Sequence, residues 1–255
     1  MQLHIVKIGG KVVDNELMLQ EILKGFIADP NPKILIHGGG KGATDLAERL
    51  GVPARMVNGR RITDDATLEI AVMVYAGWFN KKLVSALQAG GCNAFGMSGA
   101  DGNVIQAHKR PVGEIDFGWV GDIDSVDAES LRHLLLARFT PVICAITHDG
   151  KGQLLNTNAD TIASKVAQAM SDHYDVTLSF CFEKPGVLMD SEDNATVIPR
   201  IDKAGFLQLQ EEGVVHTGML PKLENAFSAA SAGVRKVRVC GPDTFGQPDG
   251  GTIIY

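Results

Sequence analysis

The chain has 255 residues, 45% of them hydrophobic, and a net charge of −6 at pH 7. This composition predicts a globular protein of one domain or two lobes, and the negative charge argues against broad nucleic-acid binding. The four cysteines form no C-x-x-C pair and no zinc-ligand spacing, so we expect no protein metal site and a reducing compartment. We find no leader sequence and no apolar run near the roughly 20 residues of a membrane helix, and therefore expect a cytoplasmic protein.

Strand-like and helix-like segments alternate along the chain. "LHIVKI" is followed by the amphipathic "NELMLQEILKGFIA", and "KILIH" is followed by "GATDLAERLG", in which a glycine closes the helix. A long helix is predicted from about Asp64 to Gln88, and short hairpins from Asn103 to Val126. The alternation resumes at "TPVICAI". This order predicts an α/β fold with a mainly parallel sheet between helix layers and ligands at the carboxyl ends of its strands.

Two glycine turns follow the first two predicted strands. Lys7 precedes Gly9 and Gly10, and "HGGGKG" connects the second strand to a helix. Glycine turns let backbone N–H groups approach an anion, and a nearby lysine adds a mobile charge, so phosphate is the expected ligand. A plain tight turn is the alternative for the first segment, and a core role is favoured for His37. Neither spacing is that of a P-loop or a dinucleotide site.

Three further segments place polar side chains near predicted strand ends. "NGRRIT" offers Arg60 and Arg61, of which one is needed to bind a carboxylate through paired hydrogen bonds. "NTNAD" holds Asn156 and Asp160 before a helix, where capping explains one of its polar residues. "HTGMLPKLENA" places Lys222 near a helix start, which fits either a phosphate ligand or an ordinary surface lysine.

Together these segments resemble the amino acid kinase family over essentially the whole chain. The matching stretches, in family order and at family spacing, are "KIGG", "HGGGKG", "NGRRIT", "GMSGADG", "WVGDI", "TPVI", "LLNTNAD", "PGVL" and "TGMLPKLENA". The resemblance implies an open, mainly parallel sheet of about eight strands between helix layers. It also implies an acylglutamate-binding and dimerising lobe, residues 1–174, an ATP-binding lobe, residues 175–255, and a homodimer.

The activity implied by the resemblance is transfer of the γ-phosphoryl group of ATP, with Mg²⁺, to the γ-carboxylate of N-acetylglutamate in arginine biosynthesis. That carboxylate is ionised near pH 7, so no general base is required, and the nucleotide's phosphates would supply most of the Mg²⁺ ligands. Because the chain starts almost at its first strand, we expect a dimer that is insensitive to arginine.

The resemblance also implies residue roles. Lys7 and Lys222 would contact the transferring phosphoryl group, and Asp160 would position both lysines. Arg61 and Asn156 would hold the glutamate part of the substrate. The implied backbone contacts to substrate and phosphoryl oxygens are Gly39, Gly40, Gly9 and Gly10, and the implied nucleotide contacts are Glu183, Gly186, Val187, Leu188, His216 and Gly218.

One departure and three alternatives stay open. The family usually has Asp-x-x-Gly where this chain has Glu183-Lys184-Pro185-Gly186, so nucleotide preference is undecided. The acyl group could be succinyl, in which case Arg60 is the candidate for the extra carboxylate. The second alternative is a related kinase that phosphorylates carbamate, aspartate or a nucleotide, which would not need Arg61 and Asn156. A non-catalytic sensor of an amino acid is the third alternative.

Overall fold

The structure, a computed structural model, describes residues 1–57, 60–215 and 219–255, with the backbone alone of Arg60. Its strands are β1 (Gln2–Ile8), β2 (Lys33–His37), β3 (Met56–Val57), β4 (Arg60–Arg61), β5 (Ala94–Met97), β6 (Ile105–Lys109), β7 (Gly121–Val126), β8 (Thr140–Cys144), β9 (Ile146–His148), β10 (Leu154–Asn156), β11 (Asp175–Cys181), β12 (Arg200–Ile201), β13 (Lys236–Cys240) and β14 (Thr252–Ile254). Its α-helices are α1 (Gly10–Val13), α2 (Glu16–Ala28), α3 (Gly42–Arg49), α4 (Asp65–Val72), α5 (Asn80–Ala89), α6 (Ala128–Leu136), α7 (Ala159–Met170), α8 (Lys203–Glu211), α9 (Leu220–Ser231) and α10 (Pro242–Phe245).

Eight strands form the main sheet, in the order β12-β14-β13-β11-β1-β2-β8-β5. Every neighbouring pair is parallel except β13 and β14. Strands β2 and β8 are buried at every residue, as expected for central strands that are covered on both faces. The predicted open, mainly parallel sheet of about eight strands is therefore confirmed.

Helices cover both faces of this sheet. Successive side chains of a strand alternate between faces, so His4 and Lys7 of β1 point to opposite sides. His4 contacts Asp29 at the end of α2 and the ring of Phe245 in α10. Lys7 instead reaches Asp160 in α7. Helix α7 packs with α6 and α9, whereas α2 packs with α5 and α10, which gives the predicted helix–sheet–helix layering.

A second, four-stranded sheet has the order β10-β9-β6-β7. Its β6–β7 hairpin is antiparallel and carries an irregularity between Gln106 and Ala107, so one hairpin lies in the region from Asn103 to Val126 where short hairpins were predicted. Isolated bridges pair Val120 with Asn156 and Thr63 with Gly118. These bridges join the hairpin to the segments that carry the predicted substrate-binding residues.

The carboxyl ends of β1, β2 and β11 lie side by side at the point in the sheet where the order of the strands reverses. Strand β1 pairs with β2 on one side and with β11 on the other, in a register from Gln2↔Asp175 to Ile8↔Cys181. In open α/β sheets this is the point where ligands bind, at the carboxyl ends of the strands. The predicted lobe boundary after residue 174 coincides with the start of β11, although the main sheet continues across it.

The helix predicted from about Asp64 to Gln88 is uninterrupted in the structure, but its pitch changes in the middle. A π-helical segment, Met73–Phe79, joins α4 to α5. Its Met73 and Trp78 side chains are exposed. Within the described ranges, no helix has the length and apolar character needed to cross a membrane.

Candidate active site

The two glycine turns lie against each other at the carboxyl ends of β1 and β2. A Cβ added to Gly10 would lie 3.1 Å from the Cα of Gly40, so the two backbones are in direct contact. The N–H of Gly9 donates to the carbonyl of Cys181 at 2.8 Å. That N–H extends the β1–β11 pairing in this structure, so Gly9 shapes the turn by its small size rather than by offering a free donor.

The second turn also depends on glycine. A Cβ on Gly39 would overlap with the ring of Tyr75, and one on Gly40 would overlap with the carboxylate of Asp14. Gly40 has a φ of +52°, a left-handed conformation that favours glycine. The Asp14 carboxylate accepts a hydrogen bond from the backbone N–H of Lys41 at 3.0 Å, which fixes this turn beside the first.

Lys7 and Asp160 form a buried ion pair below these turns. The Lys7 Nζ and Asp160 Oδ1 atoms are 2.6 Å apart, and the two side chains are 7% and 10% exposed. A carboxylate oxygen has more than one lone pair, so Oδ1 can accept from a further donor besides Lys7. Asn158 caps α7 by accepting from the N–H groups of Asp160 and Thr161, so the Asp160 carboxylate is not needed as the cap.

Lys222, in the first turn of α9, belongs to the same electrostatic cluster. Burial lowers the pKa of Lys222, the Asp160 carboxylate raises it, and the Lys7 ammonium lowers it again, with a net lowering. The opposing effects of Asp160 and Lys7 require all three groups to lie near one another. The structure thus brings together the three residues that were predicted to be catalytic.

A cavity of about 230 Å³ lies beside the glycine turns and is lined in part by Gly40, Arg61 and Asn156. The guanidinium of Arg61 donates to Thr44 Oγ1 at 2.8 Å, and Asn156 Nδ2 donates to Thr63 Oγ1 at 3.0 Å. Both predicted substrate-binding side chains therefore line the same cavity and are each held by a threonine hydroxyl. The Arg60 side chain, the candidate for a second cation, lies outside the described part of the chain.

Arg110 and Tyr75 also line this cavity and were not predicted from the sequence. Arg110 donates to both carboxylate oxygens of Asp122 at 2.6–3.2 Å. These hydrogen bonds raise the pKa of Arg110 above its already high value. Burial raises the pKa of the Tyr75 hydroxyl, while nearby Arg61 opposes the change. The hairpin register brings Arg110 to the cavity. No local sequence motif therefore indicates that this residue belongs to the site.

The loop after β11 contains most of the predicted nucleotide contacts. Gly186, Val187 and Leu188 line a mainly apolar cavity of about 70 Å³. The Val187 N–H donates to Thr252 Oγ1 at 2.8 Å, and a Cβ on Gly186 would lie 2.8 Å from Val197 Cγ1, which explains why glycine is needed here. The predicted contacts His216 and Gly218 lie outside the described residues.

Glu183 begins this loop and is bound by Lys11, which was not among the predicted residues. The Lys11 Nζ and Glu183 Oε1 atoms are 2.5 Å apart. Burial alone would raise the pKa of Glu183, but the hydrogen bond from Lys11, a backbone hydrogen bond and the charges of Lys11 and Lys222 outweigh it, so the net shift is downward. The carboxylate expected to accept hydrogen bonds from the nucleotide is therefore ionised and already paired.

His37 is a core residue, as the favoured interpretation held. It is fully buried, its Nδ1 lies 2.8 Å from the Gly38 carbonyl, and its Nε2 accepts from Asn80 Nδ2 at 3.0 Å. These partners require a neutral ring protonated at Nδ1. Burial lowers the pKa of His37 to about 4, which keeps the ring neutral near pH 7.

Two other features bear on the location of the site. Within the described ranges, no group of three or more His, Cys, Asp or Glu side chains is arranged to hold a metal ion. A larger cavity, about 640 Å³, opens at the amino ends of β1, β11 and β13. Its Arg235 and Lys236 are paired with Asp175 and Asp249, and it lies at the end of the sheet opposite to the glycine turns.

Known proteins resemble the chain over almost its full length. Residues 2–241 match the family model described as the amino acid kinase family. The chain is 50% identical over 253 residues to the acetylglutamate kinase of Bacteroides fragilis, covering 99% of this chain and 97% of that one. It is 50% identical over 236 residues to the acetylglutamate kinase of Parabacteroides distasonis, covering 92% of each. The crystal structure of smu.665 from Streptococcus mutans UA159 has a TM-score of 0.81 and 25% identity, over 99% of this chain and 98% of that one. On this sequence match and on the fold and site described above, the chain belongs to the amino acid kinase family.

Proposed function

We propose that this chain transfers the γ-phosphoryl group of ATP to the γ-carboxylate of N-acetylglutamate, the second step of arginine biosynthesis. Relatives named acetylglutamate kinase share half of its residues over nearly the whole chain, which supports this activity. The observation that carries the chemistry is the buried Lys7–Asp160 ion pair beneath two glycine turns and beside a cavity that holds Arg61.

The reaction needs alignment and charge neutralisation. An oxygen of the ionised γ-carboxylate attacks the γ-phosphorus, the bond to the bridging oxygen of ADP breaks, and ADP leaves with that electron pair. Lys7 and Lys222 stabilise the charge that spreads over the phosphoryl oxygens. Asp160 keeps the two ammonium groups from repelling each other, which is why it is buried against Lys7.

The two substrates would occupy different halves of the chain. Arg61 and Asn156 bind the glutamate part within residues 1–174, and Gly186, Val187 and Leu188 contact the nucleotide within residues 175–255. The nucleotide enters as MgATP, and its phosphates supply most of the metal ligands. Because the attacking group in this phosphoryl transfer is an ionised carboxylate, no protein base is required.

A hydroxylamine trap tests this function. Hydroxylamine converts an acyl phosphate to a stable hydroxamate, so the purified chain is incubated with ATP, Mg²⁺ and one acid at a time. We expect hydroxamate with N-acetylglutamate and none with aspartate or carbamate. Product with another acid alone would reassign the substrate, and binding of N-acetylglutamate without hydroxamate or ADP would indicate a sensor.

Arg110 favours a second candidate substrate, N-succinylglutamate. The α-carboxylate of any N-acylglutamate requires one cation, for which Arg61 is available, and Arg110 lines the same cavity. Among the described residues that line it, none carries a carboxylate. Asp122 binds the Arg110 guanidinium through three hydrogen bonds, so Arg110 is held in place at the cavity while Asp122 balances its charge.

The two candidate acid substrates are distinguished by measuring kcat/KM for N-acetyl- and N-succinylglutamate with the parent protein and with Arg110→Met. If the substrate is N-acetylglutamate, Arg110→Met leaves the ratio of the two values nearly unchanged. If it is N-succinylglutamate, the parent prefers the succinyl compound and Arg110→Met removes that preference, on the order of tenfold or more for one charged hydrogen bond.

We also propose a homodimer formed by residues 1–174, and a cytoplasmic location. Exposed apolar side chains support the dimer: Met73 and Trp78 lie on the π-helical segment, and Phe95 lies on the edge strand β5. The four cysteines are free and buried, as in proteins of reducing compartments. Light scattering should give the mass of a dimer, and Trp78→Glu should shift it to that of a monomer.

A further inference from the structure

Lys11 joins the first glycine turn to the loop that follows β11. It is the second residue of α1, directly after Gly10, and its Nζ lies 2.5 Å from Oε1 of Glu183. The Lys11 side chain is 75% exposed and the Glu183 side chain 26% exposed. The ion pair therefore lies at the protein surface and links the first glycine turn to the start of the loop after β11.

The backbone around this ion pair is fixed. Ile8 and Cys181 are register partners in β1 and β11, and Gly9 N–H donates to the Cys181 carbonyl at 2.8 Å. Lys11 therefore starts from the same sheet edge as Lys7. A lysine has a flexible four-carbon stem, so its ammonium group can move to a new partner without a change in the backbone.

Lys11 also belongs to the electrostatic cluster of the site. The pKa of Lys222 is lowered first by burial, is raised by Asp160 and Glu183, and is lowered by Lys7 and Lys11. These groups comprise three ammonium groups and two carboxylates, so the cluster carries an excess positive charge. A polyphosphate is the complementary ligand, because a compact set of cations gains most from a ligand with several negative charges.

We propose that Lys11 is a third phosphate-binding lysine, held by Glu183 while the nucleotide site is empty and bound to the terminal phosphates of ATP when the nucleotide enters. This inference rests on the proposed function, since it takes ATP as the phosphoryl donor. An exposed ion pair is weak, so a polyanion displaces the single carboxylate readily. Glu183 is thereby released to accept hydrogen bonds from the nucleotide.

Binding measurements with Lys11→Met test the role. Isothermal titrations at constant ionic strength compare ATP, ADP and adenosine, which share the same base and ribose. We expect affinity for ATP to fall about tenfold, affinity for ADP to fall less, and affinity for adenosine to stay the same. Lys11→Arg should retain most of the ATP affinity because it restores the positive charge.

Lys24→Met is the matched control. Lys24 is 79% exposed, and its ion pair with Glu21 spans 4.0 Å, so the same substitution there should change no affinity. Equal weakening of ATP and adenosine by Lys11→Met would mean that the ion pair only shapes the loop, and it would overturn the proposal. Unchanged ATP binding would overturn it as well, while leaving the kinase function intact. A parent chain that binds no ATP would overturn both.

Discussion

Replacing Asp160 with Asn removes one negative charge from the centre of the site and changes little else. The carboxylate lies 2.6 Å from Lys7, and both side chains are nearly inaccessible to water. Asn158, not Asp160, caps α7, so the helix start is preserved in the variant. The expected effects therefore come from the loss of charge.

The loss leaves the Lys7 ammonium buried without its counter-charge. Removing one partner of a buried ion pair costs about 3–5 kcal/mol. For a chain of this size that corresponds to a fall in melting temperature on the order of 10 °C. Lys7 and Lys222 also lose the group that holds them together, so kcat should fall by roughly 10²-fold or more, comparable to the loss of a preorganised transition-state donor.

Thermal unfolding and steady-state kinetics of Asp160→Asn measure both effects. Asp127→Asn is the control, because Asp127 caps α6 by accepting from the Ser130 N–H and is exposed. Asn is an equally good cap, so the control should change melting temperature and kcat very little. If Asp160→Asn behaved like Asp127→Asn, the ion pair would have no role in catalysis or stability.

Three other perturbations address separate parts of the site. Lys222→Ala should lower kcat by roughly 10²-fold with little change in KM for either substrate, and unaltered turnover would make Lys222 a surface lysine. Gly186→Ala should raise KM for ATP more than KM for the acid, because its Cβ would lie 2.8 Å from Val197 Cγ1 beside the apolar cavity. A larger rise in KM for the acid would show that the two substrate sites are assigned to the wrong halves of the chain. Burial lowers the pKa of His37 from 6.5 to about 4, so its contribution to stability is present above about pH 6.5 and is lost as the pH falls toward 4. The loss amounts to about 3 kcal/mol, and acid titration of His37→Gln should lack that part of the decrease.

The parts of the fold that follow from local sequence were predicted well. Short apolar runs such as "KILIH" indicate buried strands, and the amphipathic "NELMLQEILKGFIA" forms α2, whose start is capped by Asn15 accepting from the Met18 N–H. The glycine that closes α3 has a φ of +72°, in agreement with its predicted role. These features depend on residues that are neighbours in the sequence.

Two contacts between distant residues were not predicted. Arg110 reaches the cavity lined by Arg61 and Asn156 because its N–H pairs with the Val120 carbonyl across the hairpin and its guanidinium binds Asp122. The ion pair between Lys11 and Glu183 joins residues 172 positions apart. Periodicity and motif spacing carry no information about which side chains meet across such separations, so geometry was needed to identify both.

The predicted catalytic residues meet because one helix both stabilises the core and carries the counter-charge. Helix α7 contacts β1, β2 and β11, and its Ile162, Ala163 and Val166 side chains are fully buried there. Asp160 lies in the first turn of that helix, so the apolar packing determines where its carboxylate meets Lys7. A rigid core can hold such a contact within the small tolerance that charge stabilisation in a transition state requires. Core substitutions such as Val166→Ala therefore act on the position of the Asp160 carboxylate as well as on stability, and their effects on kcat and on melting temperature are coupled through one helix.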